Sequence, residues 1–265
     1  MKYKGTIMSK ALNLFWMENF KVRAYEVGPN GRVTLQSIFN YMQEAAGNHA
    51  FELGVSVDKL FKQNLTWVLS RVHLHVAKYP FWKQGITIET WPADKDSYYA
   101  IRDFRILDEN GLEIGQATSS WMMLDLINRK PVLIPDYIDE MKNKDQGRAL
   151  NDHFEKLPKL DHVDYEKLFN VRLSDLDLNQ HVNSVNYIEW ALECVPADIL
   201  KDFILSDVEV TYRAESNYGD CVQSQCQVDT GPMGSKIIHR LQRESDEKEL
   251  ARLVSSWKPQ KANKA

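Results

Sequence analysis

The stretch SDLDLNQHVNSVNYIEW, Ser174 to Trp190, sets Asp177, Asn179 and His181 at alternate positions and then enters an amphipathic helical pattern opening at Asn183. Alternate side chains of an extended segment share one face, so an acid, an amide and an imidazole converge on one volume. A helix N-terminus beside them favours developing negative charge, a setting suited to acyl chemistry. The fold is decided by an earlier counterpart of this stretch. At a constant offset of 149, Val22-Arg23 recurs as Val171-Arg172, Thr34 aligns with Asn183, Phe39 with Ile188, Tyr41 with Trp190 and Glu44 with Glu193. Ser119-Ser120-Trp121 recurs as Ser255-Ser256-Trp257 at an offset of 136, and Gly85 aligns with Gly219. A shared order of matches marks an internal duplication.

Each copy reads as one helix followed by antiparallel strands. In the first, Phe20 to Val27 reads as a strand and Gly28-Pro29-Asn30-Gly31 as a turn. Thr34 then caps a helix whose apolar residues, Leu35, Ile38, Phe39, Met42, Ala45, Ala46, Ala50 and Leu53, recur at i, i+3, i+4, i+7 before Gly54. Strand-like runs follow at Leu65 to Val76, Gly85 to Trp91, Tyr98 to Leu107 and Leu112 to Leu124, the last two joined by the hairpin pair Asn110-Gly111. In the second copy a shorter helix ends at Pro196, and strands follow at Ser206 to Arg213, Cys221 to Asp229, Lys236 to Arg243 and Leu250 to Trp257. The segment from Pro131 to Asp164 shows no period and reads as the connection. The expected division is an N-terminal unit at 1–130, a linker at 131–164 and a C-terminal unit at 165–265. The class is α+β, a sheet wrapped around a helix, twice.

Composition narrows the function. The 265 residues carry 33 basic and 37 acidic side chains, so no global charge steers the chain to nucleic acid. Three cysteines, Cys194, Cys221 and Cys226, lack metal-ligand spacing and suit a reducing compartment. Lysines precede a short apolar run at the start, but Asn13 interrupts it and no small-residue cleavage site follows; an N-terminal arm is expected rather than a signal peptide. No apolar run approaches the ~20 residues that span a bilayer. His73 and His75 alternate on a strand without a third ligand at suitable spacing, so no metal is expected.

The two copies differ where chemistry is concerned. Opposite Asp177, Asn179 and His181 the first half has Gly28, Asn30 and Arg32, and Phe81 falls opposite Glu215 of TYRAES. With DLDLNQHVN, NYIEW and TYRAES on the page, the chain resembles the acyl-acyl carrier protein thioesterases from roughly Phe20 to Trp257. The resemblance implies a double hotdog fold and a catalytic network of Asp177, Asn179, His181 and Glu215. It implies hydrolysis of fatty acyl thioesters on acyl carrier protein, ending fatty acid synthesis, with no cofactor. Glu215 would activate water or attack directly, His181 would orient it, Asp177 would fix the imidazole tautomer, and Asn179 and N–H groups near Asn183 would face the oxyanion. Where family members often carry a cysteine after that glutamate, this chain has Ser216, which excludes a thiolate nucleophile there. The acyl slot is expected in the first half, lined by Phe39, Met42 and Ala46, with Trp67, Trp82, Trp91 and Trp121 either core or lining.

Docking of the acidic carrier would use Arg172, Arg213, Lys236 or Arg240. Alternatives are an acyl-coenzyme A thioesterase of the same fold and a non-catalytic acyl-carrier or lipid-binding module. A cytoplasmic monomer or homodimer is expected.

Overall fold

A computed structural model describes residues 12–231 and 234–260. The charged start of the expected N-terminal arm, residues 1–11, lies outside the described residues. The elements run β1 (Trp16–Lys21), α1 (Leu35–Glu52), α2 (Val57–Phe61), β2 (Leu65–Val76), β3 (Gly85–Lys95), β4 (Ala100–Asp108), β5 (Glu113–Asp125), β6 (Lys130–Val132) and α3 (Asp136–Asp139). Then come β7 (Tyr165–Asn170), α4 (Ser184–Leu192), α5 (Ala197–Asp202), β8 (Phe203–Tyr212), β9 (Cys221–Gly231), β10 (Gly234–Arg243) and β11 (Glu249–Pro259).

All strands join one antiparallel sheet in the order β1-β3-β4-β5-β2-β8-β11-β10-β9-β7, with β6 on β5. Read inward from each edge, β1-β3-β4-β5-β2 and β7-β9-β10-β11-β8 are the same order. The duplication is therefore visible as topology, and the copies meet where β2 pairs β8, with His73 opposite Glu209. Alternation along β2 sends Val72, Leu74 and Val76 inward and Arg71, His73 and His75 to the outer face. α1 and α4 lie against the inner face and touch each other, with Gln36 Nε2 donating to Glu189 Oε2 at 2.5 Å and Gln43 Nε2 to Ser184 Oγ at 2.7 Å. Thr34 accepts from Ser37 N and Asn183 from Val185 N, so both predicted caps are made.

The first strand differs from expectation. β1 ends at Lys21, and Ala24–Glu26 forms a single 3-10 turn that recurs at Leu173–Asp175. In both copies a carboxylate three residues on accepts from the backbone N–H of Arg23 or Arg172, closing the turn where an extended run was read.

The segment 143–161 is a strap across the outer face of the sheet. Fully buried Asp103 accepts from Arg148 Nε at 2.9 Å, Ala149 N at 2.7 Å and Thr118 Oγ1 at 2.6 Å. Farther along, Asp152 meets His73, Arg71 Nη1 donates to Phe154 O, and Arg252 Nη1 donates to Leu157 O.

Two histidines are fully buried beneath the sheet, His49 on α1 and His239 on β10. Burial, with Arg102 adding to it, pushes His49 down to about 4, and burial pushes His239 down to about 3. Unfolded, both bind protons near the ordinary value of 6.5, so the unfolded state is favoured as pH falls below it. Stability is therefore complete above pH ~6.5 and declines toward pH 4 by about 1.4 kcal/mol per pH unit for each histidine. Urea unfolding at pH 7, 6 and 5 measures that slope, and His239→Gln reduces it by one proton's worth.

Candidate active site

The loop that carries the candidate residues is built the same way in both halves. Asp177 N donates to His181 O at 2.8 Å and Gln180 N to Asp177 O at 3.0 Å; Gly28 N to Arg32 O and Gly31 N to Gly28 O repeat these at 2.9 Å each. The left-handed position is Gly31 in one copy and Gln180, at φ 63°, in the other. One backbone turn thus presents Arg32 in the first half and His181 in the second.

The alignment near Glu215 is corrected by hydrogen bonds. Val33 N donates to Pro80 O as Val182 N does to Ser216 O, and Lys83 N to Val22 O as Gly219 N does to Val171 O. Lys83 and Gly219 are both left-handed, at 71° and 87°, so the offset here is 136. Glu215 therefore corresponds to Tyr79 rather than Phe81, and Tyr79 is buried. The first half has no carboxylate at that position.

His181 and Glu215 come together, with Nε2 3.5 Å from Oε2. Arg129 Nη2, from the first half, lies 3.0 Å from the same Oε2. Both contacts fall on one oxygen, leaving Oε1 without a protein hydrogen-bond partner among the described residues. Arg129 was not legible in the sequence: it stands 86 positions from Glu215, in a turn after β5 with no motif to mark it.

Asp177 does not contact the His181 ring. Its Oδ1 accepts from Asn179 N at 2.7 Å and His181 N at 3.4 Å, so it holds the loop backbone instead of a tautomer. Asn179 is exposed and its amide makes one long contact, 3.5 Å, to Asp177 Oδ2; it bonds neither Glu215 nor His181. Three of the backbone donors near Asn183 are committed: Val182 N to Ser216 O, Asn183 N to Asp175 O, and Val185 N to the Asn183 side chain. Ser216 is fully buried with Oγ on Asp220, which removes it from the chemistry.

Asp177, Asn179, His181 and Glu215 all line a cavity of about 1760 Å³ that extends into the first half between α1, β2, β4 and β5. Ala46 lines it, together with Trp67 and Trp121. Phe39 and Met42 do not line it; they pack in the core cluster, to which Ala46 also belongs. Trp91 is buried and Trp82 half exposed. A smaller pocket of about 330 Å³ shares Arg129, Asn179, His181 and Glu215, and is rimmed by the exposed apolar side chains Phe61, Leu126 and Leu178. Of the expected docking cations, Arg172 is tied to Asp175, Arg240 to Gln225 and Arg213 to Glu249, and Lys236 is exposed on β10 outside the cavity lining; Arg213 borders the large cavity, as do Arg243 and Lys248, which the sequence did not single out. No described helix is long and apolar enough to cross a membrane.

The acyl-ACP thioesterase N-terminal domain matches residues 13–141 and the acyl-ACP thioesterase C-terminal domain matches residues 159–259. The chain is 32% identical, over 94% of its length, to a chloroplastic acyl-[acyl-carrier-protein] hydrolase of Cuphea viscosissima, of which it covers 64%. It is also 32% identical, over 92% of its length, to the chloroplastic oleoyl-acyl carrier protein thioesterase 1 of Arabidopsis thaliana, covering 76% of it. The chain thus spans just under two thirds of the first of these relatives. Among solved structures, the 12:0-ACP thioesterase from Umbellularia californica superposes with a TM-score of 0.84 at 30% identity, covering 93% of this chain and 95% of that one. An acyl-ACP thioesterase from Bacteroides thetaiotaomicron gives 0.82 at 25% identity, covering 93% and 98%. The fold is the double hotdog.

Proposed function

Since the chain belongs to the acyl-ACP thioesterase family, we propose that it hydrolyses fatty acyl thioesters of acyl carrier protein to free fatty acid and carrier, ending acyl-chain growth. The observation that carries this reading is the Glu215 carboxylate, paired on one oxygen with Arg129 and approached on the same oxygen by His181, in the lining of a cavity of about 1760 Å³. In this reading Oε1 takes the proton of an attacking water while His181 steadies the carboxylate. Asn179, whose amide is weakly engaged, and the Arg129 guanidinium are the donors nearest the developing oxyanion. Asp177 shapes the loop that presents them.

We assign the acyl chain to the large cavity, within the first unit, and the carrier's arm to the smaller pocket. The chemistry belongs to the unit after the linker. Lys248, exposed and without an ion-pair partner among the described residues, offers positive charge to an acidic carrier, with Arg213 and Arg243 beside it paired to Glu249 and to Asp220 and Asp246. The compartment is reducing, the cytoplasm in this reading, which the unpaired thiols of Cys194, Cys221 and Cys226 support. A monomer suffices because the duplication supplies the pairing internally, and a homodimer is compatible.

The test compares hydrolysis of one acyl chain on acyl carrier protein and on coenzyme A. A kcat/KM at least about tenfold higher on the protein carrier is expected, an advantage that docking charges at the mouth would supply. Equal rates point to a coenzyme A enzyme, and binding without hydrolysis to a non-catalytic module.

Chain length gives a second expectation. Ala46 is a small residue on the cavity wall, and each buried methylene of substrate contributes about 0.8 kcal/mol. Ala46→Phe removes room for two to three methylenes, so kcat/KM on the longest accepted chain falls by about 10- to 100-fold while shorter chains are spared. Rates across a ladder of acyl carriers check this.

A further inference from the structure

The outer face of the β2–β8 seam holds a group of side chains that the thioesterase reading does not use. His73 on β2, Asp152 on the strap and Glu209 on β8 place one nitrogen and two carboxylate oxygens within 4.8 Å of one another. His73 Nδ1 and Asp152 Oδ2 are 2.9 Å apart, with side chains 21% and 17% exposed. Glu209 stands directly opposite His73 in the ladder, is half-buried, and has no hydrogen-bond or ion-pair partner among the described residues. Two carboxylates therefore face each other across a single imidazole, and one of them is uncompensated. A half-buried carboxylate without a partner is costly unless a cation joins it. The neighbouring cation, Arg71, is already engaged, donating to Phe154 O and Tyr99 Oη and lying over the Tyr99 and Phe154 rings. His75, one pair along the seam, is occupied by Asp207 at 2.7 Å.

We propose that His73, Asp152 and Glu209 form a binding site for a divalent first-row ion of the zinc class. One imidazole and two carboxylates make a nitrogen-oxygen donor set suited to Zn²⁺, with water completing the tetrahedron because the group is partly exposed. The ion replaces the proton between His73 Nδ1 and Asp152 and draws in Glu209. The sequence hid the site because Asp152 comes from the patternless linker and Glu209 from the other copy. The three ligands belong to the first repeat, the strap and the second repeat, so the ion is a clip that ties them together. It lies on the outer face of the sheet, away from the inner cavity, and its role is structural rather than catalytic.

The test is titration of the chelator-treated full chain with Zn²⁺ by calorimetry and with Co²⁺ by visible absorption. One saturable site is expected, weakened at least about tenfold by His73→Ala and by Glu209→Gln. His181→Ala leaves it unchanged, which separates it from the Glu215 cluster. At a Zn²⁺ excess of about 100 times Kd, Tm rises by about 5 °C in the wild type and not in Glu209→Gln. Glu209→Gln is nearly isosteric and breaks no existing bond, so its fold is preserved even if His73→Ala proves unstable. Absence of saturable binding, or binding that survives Glu209→Gln unchanged, overturns the proposal.

Discussion

Glu215→Gln lowers kcat for acyl-carrier hydrolysis by about 10²- to 10⁴-fold, the range expected for loss of a general base. The substitution keeps the size and shape of the side chain and removes only the charge and basicity. Its effect on folding is small, because the Glu215 carboxylate is 37% exposed and its Arg129 partner 68% exposed. Partly exposed pairs of this kind contribute about 0–1 kcal/mol. Tm consequently moves by no more than about 2–4 °C, and KM for the carrier stays near the wild-type value. A loss in kcat with the fold and KM preserved marks a group that acts in the transition state. A variant that retains the full rate transfers the base to another residue and removes the assignment of Glu215, while the family membership stands. If both kcat and Tm collapse, Glu215 is a structural residue. Single-turnover rates and thermal melts on the same preparation separate the three results.

Much of the fold was legible because it rests on local rules. Four of the five strands of each copy, the two helices and their caps at Thr34 and Asn183 follow from period-two alternation, the 3.6 rhythm and N-cap chemistry, whereas β7 was not read as a strand. The duplication added order, since a repeat fixes topology where single elements do not. The errors have specific causes. Gly85 was matched to Gly219 because both are glycine, yet the left-handed position is filled by Lys83 in one copy and Gly219 in the other. Backbone conformation was retained while the residue type was not, and the register near Glu215 slipped by two.

The resemblance points to the face of α1 for the acyl slot, with Phe39 and Met42 among its linings, and α1 is apolar over a wide stripe. Only packing tells which edge of that stripe faces the sheet and which faces the cavity. Arg129 left no signal, because an ion pair between distant turns imposes no period on either. The same holds for Asp177, for which the resemblance implies the role of fixing the His181 tautomer but whose Oδ1 serves two backbone N–H groups of its own loop. Residues that share a face in an extended run do so only while the run stays extended. The tight turn through Gln180 ends that condition.

The linker shows how a segment without pattern is nonetheless specified, and it yields the largest stability effect. Asp103→Ala destabilises the protein by about 3–5 kcal/mol, the cost of breaking a buried charge pair by removing one partner. Asp103 is fully buried on β4, and its oxygens accept from Arg148 Nε, Ala149 N and Thr118 Oγ1. Removing the carboxylate strands a guanidinium and two neutral donors under the strap, and Tm falls by about 10 °C. The charged share of that deficit is removed by Asp103→Leu combined with Arg148→Met, which takes away the charge on both sides and leaves only Ala149 N and Thr118 Oγ1 without their acceptor, so the pair is partly repaired relative to Asp103→Ala. Thermal melts of the wild type, the single variant and the pair measure this coupling. A single variant within about 1 kcal/mol of the wild type would mean that the strap is anchored elsewhere, through Asp152 and the Arg71 and Arg252 contacts to its backbone. Repair by the double substitution places the anchor at Asp103, where one buried carboxylate fixes a segment that no hydrophobic period could have positioned.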